Sequence, residues 1–357
     1  MKIERLRGVN LGGWFSQVNC IEEKDSANFP GLIQHIQTFL SSADFKRIHD
    51  AGFNHVRLPV DYFNLFSEKE LQPKEEIFAL LDKEIKEILA TGLHVILDLH
   101  KCPGHDFFLG CTEDQPLFSD PKSLERTCGI WAYMAERYES DPRIMMELLN
   151  EPVSLTSEGW NKTKEVLFKT IRKHALHTTI VVGSNKWNSA KEFESLTPID
   201  DDNLIYSFHS YTPVCFTHQN ASWIEDSFYH QERSWPGDYL PPSNGSEFRL
   251  DYEYGHWDKN RLQESVQNAL DFREKYKVPV ACNEFGVYVQ TPRKFQLAWV
   301  KDFLDILKSA DVGFSYWNYK NLDFGIVSIG EDLHKNLQQY RGPDHLDSEL
   351  MNLLSKG

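Results

Sequence analysis

Eight short apolar segments alternate along the chain with longer amphipathic segments, and no other feature constrains the fold as strongly. The apolar segments are rich in β-branched and aromatic residues, which is typical of buried strands, and helical spacing between them indicates strand–helix units around a parallel sheet. In chain order the segments read RLRGVNL, FNHVRLPV, GLHVILDLH, RIMMELLNE, TTIVVGS, NLIYSFHSY, VPVACNEF and VGFSYWNY. Eight such units in 357 residues predict an α/β fold, the (β/α)8 TIM barrel.

The segments between the strands carry residues that begin and end helices. In SSADFKRIHDAG, serine and aspartate can cap the start of a helix and Gly52 can end it, and Gly92 ends PKEEIFALLDKEIKEILATG in the same way. Four further segments show helical spacing: DPKSLERTCGIWAYMAERYESD, SEGWNKTKEVLFKTIRKHA, KNRLQESVQNALDFREKYK and PRKFQLAWVKDFLDILKSA. No linker, repeat or low-complexity stretch interrupts the pattern, so we predict one catalytic domain over residues 1–357.

One connection is too long for an ordinary loop of a barrel. Residues 212–259, after the sixth strand, span 48 positions, whereas strand-to-helix loops usually have about 2 to 6. Ten of these 48 residues are aromatic, a higher share than the 13% of the whole chain. We predict an insertion subdomain in which most of the rings form a small satellite core and some form a wall for sugar rings.

Composition and charge narrow the class of protein. Apolar residues make up 41% and charged residues 25%, as in a soluble globular enzyme. A net charge of -15 argues against nucleic acid or an anionic membrane as the partner and favours a neutral substrate. The first residues, MKIERLRGVNLGGW, lack the apolar core of a signal peptide, which predicts a cytoplasmic protein unless a leader has been removed from the natural chain.

The six cysteines show no CxxC spacing, so the sequence contains neither a zinc knuckle nor a thioredoxin-type motif. Free and mostly buried thiols are the simplest interpretation. A bridge between Cys102 and Cys111 stays open as an alternative, although nothing in the sequence indicates an oxidising compartment.

Polar residues stand at the ends of six of the eight apolar segments. They are Arg57, Asp98, His100, Asn150, Glu151, His209, Tyr211, Asn283, Glu284 and Trp317. Buried without partners, such groups would cost free energy, and in this barrel fold catalytic groups come from the carboxyl ends of several strands. Each residue alone could be a satisfied buried polar group or a helix cap, but the set of them predicts a functional site.

Two glutamates in this set fall on opposite sides of the predicted ring of strands. Glu151 ends the fourth strand and Glu284 ends the seventh. Hydrolysis of a glycosidic bond needs such a pair, one protonated to assist the leaving oxygen and one ionised. A gap of about 5 to 5.5 Å would retain the anomeric configuration and a wider gap would invert it, a distance that the sequence leaves open.

Seven strand motifs in order resemble glycoside hydrolase family 5, the large cellulase-type family of retaining (β/α)8 enzymes. The motifs are RGVNLGGW, HVRLPV, VILDLHKCPG, LLNEP, FHSYTP, NEFGV and YWNYK, and they cover nearly the whole chain. Within the family, the chain looks most like compact single-domain bacterial endoglucanases with an insertion after the sixth strand. FFLGCTEDQPLFSDP and CFTHQNASW support this finer similarity more loosely.

The resemblance implies a role for each matching residue. It makes Glu151 the acid/base and Glu284 the nucleophile, with Asn150 binding the 2-hydroxyl of the sugar at the cleavage point. Arg57 and Tyr211 would favour the charged form of Glu284. His209 would position Glu151, while His100 binds sugar hydroxyls and Trp317 offers a flat floor for the ring. No cofactor and no metal is implied.

Five further residues are weaker candidates for substrate binding. Asn10 and Trp14, at the end of the first strand, could border the cleft or have a buried packing role at the strand end. Trp187, Asn318 and Lys320 could contact neighbouring sugars or be exposed loop residues. Another alternative, a metal site, would use the group Asp98, His100, His105 and Asp106.

The leading hypothesis from sequence is a retaining endo-β-1,4-glucanase that acts on β-1,4-linked or mixed-linkage β-glucans. An exo-acting β-glucosidase or β-glucanase, or a β-mannanase, would use the same chemistry, and the insertion could close the cleft into a pocket. A metal-dependent hydrolase and a non-catalytic sugar-binding barrel are the alternatives from other classes. The presence of both glutamates counts against the binding protein.

Overall fold

The computed structural model describes residues 5–18, 20, 31–110, 112–225, 228–240, 253–328 and 345–357. Its strands, numbered β1 to β10 in chain order, are Arg7–Asn10, His55–Asp61, His94–Lys101, Ile144–Glu147, Ile180–Gly183, Leu204–Ser210, Gly237–Tyr239, Gly255–Trp257, Val280–Phe285 and Gly313–Tyr316. The α-helices of four or more residues are Leu32–Phe39, Ser42–Asp50, Tyr62–Leu65, Glu75–Ala90, Pro116–Ser119, Pro121–Tyr138, Ser157–His174, Val214–Thr217, Lys259–Ser265, Gln267–Tyr276, Arg293–Ser309 and Ser348–Leu354. Residues Asn185–Asn188 form a single turn whose backbone is left-handed at Lys186, Trp187 and Asn188. Two short 3-10 helices cover Phe107–Leu109 and Ala190–Glu194.

Eight of these strands form a closed parallel barrel in the order β1-β10-β9-β6-β5-β4-β3-β2, with β2 pairing back onto β1. Each of the eight predicted apolar segments contains one barrel strand, so β9 and β10 are the seventh and eighth strands of the barrel. The predicted (β/α)8 fold is confirmed.

The helices begin and end close to the predicted residues, with one exception. Gly52 and Gly92 follow their helices with φ of 91° and 99°, backbone values that glycine adopts without strain. The segment 259–277 was predicted as one helix and forms two, Lys259–Ser265 and Gln267–Tyr276. The interruption lies at Val266, with φ -111° and ψ 5°, where a β-branched residue has low helix propensity.

Alternate residues of a barrel strand point inward, and this periodicity builds the site in layers. The lowest inward layer is an apolar cluster of Leu6, Ile96, Met145, Val181, Ile205 and Ala281. Two positions further along β3, β4 and β9 the sequence places Asp98, Glu147 and Asn283. The polar site therefore rests on an apolar floor inside the barrel.

The insertion packs through its aromatic residues, and its buried rings belong to the main hydrophobic core of the protein rather than to the separate satellite core that was predicted. Phe216, Phe228, Trp235, Tyr239 and Trp257 are buried, and β7 and β8 pair as an antiparallel ribbon beside them. Trp223 is 49% exposed. Two of the ten counted rings, Phe248 and Tyr252, lie outside the described residues.

Two other expectations meet the structure in part. Cys102 is a buried free thiol, while Cys111, its alternative disulfide partner, lies outside the described residues. Within the described part of the chain, no helix is both long and apolar enough to cross a membrane.

Candidate active site

Arg57, on β2, is the centre of the site and is fully buried. Its Nε and Nη2 donate to the two oxygens of Glu147 at 2.7 and 3.0 Å. Its Nη2 lies 3.0 Å from Asp98 Oδ2, and its Nη1 lies 2.6 Å from Glu284 Oε1. One guanidinium thus contacts three carboxyl groups, which raise its pKa well above the ordinary value although burial opposes its charge.

Glu284, on β9, receives a hydrogen bond on each oxygen. Arg57 donates to Oε1, and the Tyr211 hydroxyl donates to Oε2 at 3.0 Å. Burial raises the pKa of Glu284, while the charge of Arg57 and the bond from Tyr211 act in the opposite direction. The surroundings of Glu284 therefore favour its ionised form more than the surroundings of Glu151 favour the ionised form of that residue.

Glu151 lies outside the regular strand that was predicted to end on it. β4 ends at Glu147, and Glu151 sits four residues later in a turn, with φ of 41°. The pairing of β4 ends early because the chain bends here, although Asn150 N–H still donates to Leu99 O at 3.0 Å. The bend directs Glu151 toward His209, whose Nδ1 lies 2.8 Å from Glu151 Oε1.

The two glutamates face each other at short range. One carboxylate oxygen from each, together with His209 Nδ1, form a group whose atoms lie within 4.8 Å of one another. A separation of about 5 to 5.5 Å between the carboxyl groups is typical of retaining glycosidases, whereas inverting enzymes leave about 6.5 to 9.5 Å for a water. The closest oxygens of the two carboxyl groups, within 4.8 Å of each other, are consistent with the shorter spacing of a retaining site.

Glu151 and His209, which are in contact, both have pKa values far from the ordinary ones. Burial and the negative charge of Glu284 raise the pKa of Glu151 well above its ordinary value. Burial and the charge of Arg57 lower the pKa of His209 well below the ordinary value, so its ring is neutral. A neutral ring does not favour the Glu151 carboxylate as a cation would, so the surroundings of Glu151 favour its protonated form.

Three more predicted residues complete the wall around the glutamates. The His100 and Trp317 rings stack at 5.7 Å with an interplanar angle of 2°, and His100 Nδ1 lies 2.8 Å from Asp98 Oδ2. Asn150 Oδ1 accepts from Arg57 Nη2 at 2.9 Å. His100 Nε2 and Asn150 Nδ2 are buried and have no hydrogen-bond partner among the residues that the structure describes. Such groups are costly unless a ligand satisfies them.

Four of the weaker candidates have their polar groups occupied. Asn10 Oδ1 accepts from Arg57 Nη1 at 3.0 Å, so Asn10 supports the site from inside the barrel. Trp14 is fully buried and donates from its indole to Ile36 O at 2.8 Å. The Asn318 amide pairs with both backbone groups of Gly12 at 3.0 Å, and Lys320 Nζ donates to Phe39 O. Asn318 and Lys320 are thus buried and not exposed loop residues.

Trp187 is placed differently from these four. Its side chain is 38% exposed, and its indole donates to Phe107 O at 2.9 Å. Phe107 packs edge-on against His100 at 5.1 Å, and the neighbouring Phe108 is 62% exposed. Trp187 is therefore partly exposed and is joined to the site through Phe107 and His100.

The four residues of the metal alternative do not converge. Asp98 contacts Arg57 and His100, while Asp106 pairs with Lys101 at 2.7 Å. His105 Nε2 accepts from the Val153 N–H at 3.3 Å. Within the described residues, the potential ligand atoms that do converge belong to Glu151, His209 and Glu284.

Sequence reasoning missed the role of Glu147 and assigned none to Asn283. Glu147 binds Arg57 through both oxygens and accepts from Asn283 Nδ2 at 2.7 Å. The signal was present, since a carboxylate inside the apolar run RIMMELLNE needs a buried cation as its partner. The sequence could not show that this cation is Arg57, which comes from a strand 90 residues away.

A closed parallel barrel with two carboxyl groups at this spacing on its carboxyl-terminal face defines the class of the protein: it is a retaining glycoside hydrolase. The sequence profile of the family described as "Cellulase (glycosyl hydrolase family 5)" matches residues 20–323. The chain belongs to this family, which is retaining, and is an O-glycosyl hydrolase of the endoglucanase type.

Individual relatives agree with this assignment. The chain is 33% identical to Endoglucanase C of Acetivibrio thermocellus over 358 aligned residues, which cover 98% of this chain and 97% of the relative. It is 32% identical to Cellodextrinase A of Ruminococcus flavefaciens, with 83% and 80% covered. The crystal structure of endoglucanase Cel5A from Thermotoga maritima has the same fold, with a TM-score of 0.73, 23% identity and coverage of 98% and 96%.

Proposed function

We propose that the protein cleaves β-1,4-linked or mixed-linkage β-glucans internally, with Glu151 as acid/base and Glu284 as nucleophile. The observation that carries the proposal is the short gap between two carboxyl groups in unlike surroundings. Glu284 is held by the cation of Arg57 and the hydroxyl of Tyr211, and Glu151 faces the neutral ring of His209. The substrate is a carbohydrate, as it is for the family as a whole.

In the first step a carboxylate oxygen of Glu284 attacks the anomeric carbon from one face of the sugar. The bond between that carbon and the glycosidic oxygen breaks, and the proton of Glu151 passes to the departing oxygen. The raised pKa of Glu151 keeps this proton available near neutral pH. The products are a covalent glycosyl-enzyme ester on Glu284 and a shortened glucan.

In the second step Glu151 is ionised and acts as a base. It takes a proton from a water molecule as the water oxygen attacks the anomeric carbon, and the ester bond to Glu284 breaks. Two inversions at the same carbon retain its configuration. Arg57 and Tyr211 stabilise the Glu284 carboxylate as it leaves.

The remaining predicted residues bind the sugar at the cleavage point. The unpartnered His100 Nε2 and Asn150 Nδ2 are suited to sugar hydroxyls, and Asn150 is adjacent in sequence to the acid/base. Trp317, stacked on His100, supplies a flat apolar floor. On the same reasoning, the exposed ring of Trp187 contacts a neighbouring sugar of the chain.

Chemical rescue tests the two roles separately. The variants Glu284→Ala and Glu151→Ala are assayed on 2,4-dinitrophenyl β-cellobioside with added azide. Azide should replace the missing nucleophile in Glu284→Ala and give the α-glycosyl azide. In Glu151→Ala it should attack the glycosyl-enzyme and give the β-glycosyl azide. Rescue with the opposite stereochemistry would exchange the two roles.

A matched control for these variants is Glu158→Ala. Glu158 is an exposed glutamate that pairs with Lys162 on the helix Ser157–His174. It should have wild-type activity with and without azide.

The cleavage pattern tests internal action. Carboxymethyl cellulose and barley β-glucan should lose viscosity before much reducing sugar appears, and reducing-end-labelled cellopentaose should give products of mixed length. Release of one sugar unit at a time from a chain end would support the exo-acting alternative. Faster cleavage of mannan than of the glucans would support the mannanase.

A further inference from the structure

The turn that carries Glu151 has an unusual backbone conformation, and contacts from other segments of the chain stabilise it. This acid/base turn, residues 151–155, begins with Glu151 at φ 41°, a left-handed value that residues with side chains rarely adopt. Such a conformation persists where surrounding contacts impose it. The contacts of the turn therefore decide where the acid/base carboxyl group lies.

Asn185 makes the most complete of these contacts. Its Oδ1 accepts from the Ser154 N–H at 2.9 Å, and its Nδ2 donates to the Ser154 carbonyl at 3.1 Å. The side-chain amide of Asn185 thus forms one hydrogen bond with the N–H and one with the carbonyl group of the same residue, Ser154. Asn185 and Ser154 are buried, so no water competes freely for these bonds.

Neighbouring contacts fasten the rest of the acid/base turn. The Trp187 N–H donates to Pro152 O at 3.2 Å, and the Val153 N–H donates to His105 Nε2 at 3.3 Å. Lys186 Nζ donates to Ser154 O at 2.8 Å. Asn185, Lys186 and Trp187 all follow β5, so this one segment holds the turn along most of its length.

The segment after β5 is itself strained into the shape that makes these contacts. Lys186, Trp187 and Asn188 have φ values of 51°, 58° and 55°, three left-handed residues in a row and none of them glycine. Asn188 Oδ1 accepts from the Ser184 N–H at 2.7 Å and closes the segment. Backbone strain in two adjoining segments, joined by the amide of Asn185, indicates a functional requirement for the position of the turn.

We propose that Asn185 is a positioning residue that fixes the acid/base carboxyl group of Glu151 at its working distance from Glu284. The inference rests on the proposed role of Glu151. Asn185 itself does not need to touch the substrate, because its amide is engaged with Ser154. Its effect reaches the substrate through the backbone of the acid/base turn.

The requirement follows from the chemistry of general acid catalysis. A proton donor has to lie within hydrogen-bond reach of the departing oxygen, and misplacement by about 1 Å can cost about 10²-fold in rate. Leaving groups that depart without a proton do not have this requirement. Dependence on the leaving group therefore separates a misplaced acid from a general loss of structure.

The experiment compares kcat/KM of Asn185→Ala and wild type on phenyl β-cellobioside and 2,4-dinitrophenyl β-cellobioside. Phenol needs protonation to leave and 2,4-dinitrophenol does not. We expect a loss of about tenfold or more on the phenyl substrate and less than about twofold on the dinitrophenyl substrate. The loss should appear in kcat, with KM nearly unchanged.

Asn161→Ala is a matched control. Asn161 also closes its amide on backbone groups, donating to Ser195 O at 2.8 Å and accepting from the Thr197 N–H at 3.0 Å, but it lies on the helix Ser157–His174 away from the site. This variant should retain wild-type kcat/KM on both substrates. Asn185→Asp keeps the acceptor for the Ser154 N–H and loses the donor, so it should fall between Asn185→Ala and wild type.

The pH profile gives a second readout. The alkaline limb of kcat/KM follows loss of the proton from Glu151, whose pKa is raised by burial and by the charge of Glu284. A turn released from Asn185 lets Glu151 move toward solvent and away from Glu284. The alkaline limb of Asn185→Ala and of Asn185→Asp should therefore move to lower pH.

Equal losses on both substrates in Asn185→Ala and Asn185→Asp, or no loss in either, would overturn the inference. Glu151→Ala in the same assay separates this failure from failure of the proposed function. If Glu151→Ala shows strong dependence on the leaving group and the Asn185 variants do not, Asn185 has no positioning role. If Glu151→Ala shows none either, the assignment of Glu151 as acid is wrong.

Discussion

Glu284 and Glu151 are the same type of residue at the same end of one barrel, yet their supports differ. Glu284 belongs to a regular strand, and its oxygens contact a buried guanidinium and a phenol hydroxyl. Glu151 sits on a left-handed residue in a turn, and its carboxyl group contacts a neutral imidazole. The first is held by charge and by a strand, the second by hydrogen bonds between loops.

This difference explains how one side-chain type can supply two roles. A cation within direct contact favours the ionised form, whereas burial beside a like charge favours the protonated form. Arg57 lies against Glu284 and not against Glu151, so the pKa values of the two carboxyl groups separate. The same logic gives three predictions, ordered by the size of the expected effect.

Removing the cation should have the largest effect. In Arg57→Met, the carboxyl groups of Asp98, Glu147 and Glu284 remain buried without their common partner. We expect the free energy of unfolding at pH 7 to fall by about 3 to 5 kcal/mol, measured by denaturant titration. Hydrolysis should be lost, because Glu284 is then protonated.

A control for this variant is Arg273→Met. Arg273 pairs with Asp311 at 2.8 Å near the surface, apart from the carboxyl groups that Arg57 contacts. It should lose about 1 kcal/mol or less and keep its activity. A loss in Arg57→Met no larger than in this control would contradict the view that Arg57 balances the buried charges.

Removing the phenol hydroxyl should have an intermediate effect. Tyr211→Phe takes away a hydrogen bond that favours the charged form of Glu284, so the pKa of Glu284 should rise. We expect kcat to fall by about 10- to 100-fold, and the acid limb of kcat/KM to move to higher pH. Tyr206→Phe, whose hydroxyl accepts from the Ile199 N–H outside the site, should leave the acid limb in place.

The buried carboxyl groups beside Arg57 should give the smallest effect, a pH dependence of stability. Burial raises the pKa of Asp98 and of Glu147 to about 7. A carboxyl group with a raised folded pKa stabilises the fold below its unfolded pKa of about 4, and this contribution is lost as the pH rises through about 7. The wild type should therefore be more stable near pH 5 than near pH 8.

Glu147→Gln tests this dependence. Its amide cannot titrate, so the difference in unfolding free energy between pH 5 and pH 8 should shrink by about 1 to 3 kcal/mol, at about 1.4 kcal/mol per pKa unit. Glu158→Gln, with an exposed carboxyl group, should keep the full difference. An unchanged difference in Glu147→Gln would show that Glu147 stays ionised over the whole range.

Much of the barrel and of its site could be predicted from sequence because both follow from local patterns. The eight apolar runs became the eight barrel strands, and residues near their ends, such as Arg57, His209 and Glu284, lie together on one face. Parallel strands in a barrel end on the same side, so the face on which a polar strand-end residue lies can be predicted. The bend before Glu151 could not be predicted, since it depends on contacts from β3 and β5 loops.

The weaker candidates show where sequence patterns stop being informative. Trp14 and Trp187 both follow a strand, yet Trp14 is fully buried and Trp187 is 38% exposed. The difference arises because the helix Leu32–Phe39 covers Trp14 and offers the Ile36 carbonyl to its indole, while the left-handed turn after β5 carries Trp187 outward. Neither the covering helix nor the turn can be inferred from the residues beside the tryptophan.

The sequence by itself determined the periodicity of the chain and the chemical groups at the strand ends, because side-chain type and spacing are local properties. The sequence therefore determined the barrel fold and the presence of two glutamates near the ends of its strands. The tertiary structure decided which carboxyl group meets Arg57, how close the glutamates approach and which backbone segments hold Glu151. These are contacts between residues tens to hundreds of positions apart, and their distances set the pKa values that separate the proposed acid from the proposed nucleophile.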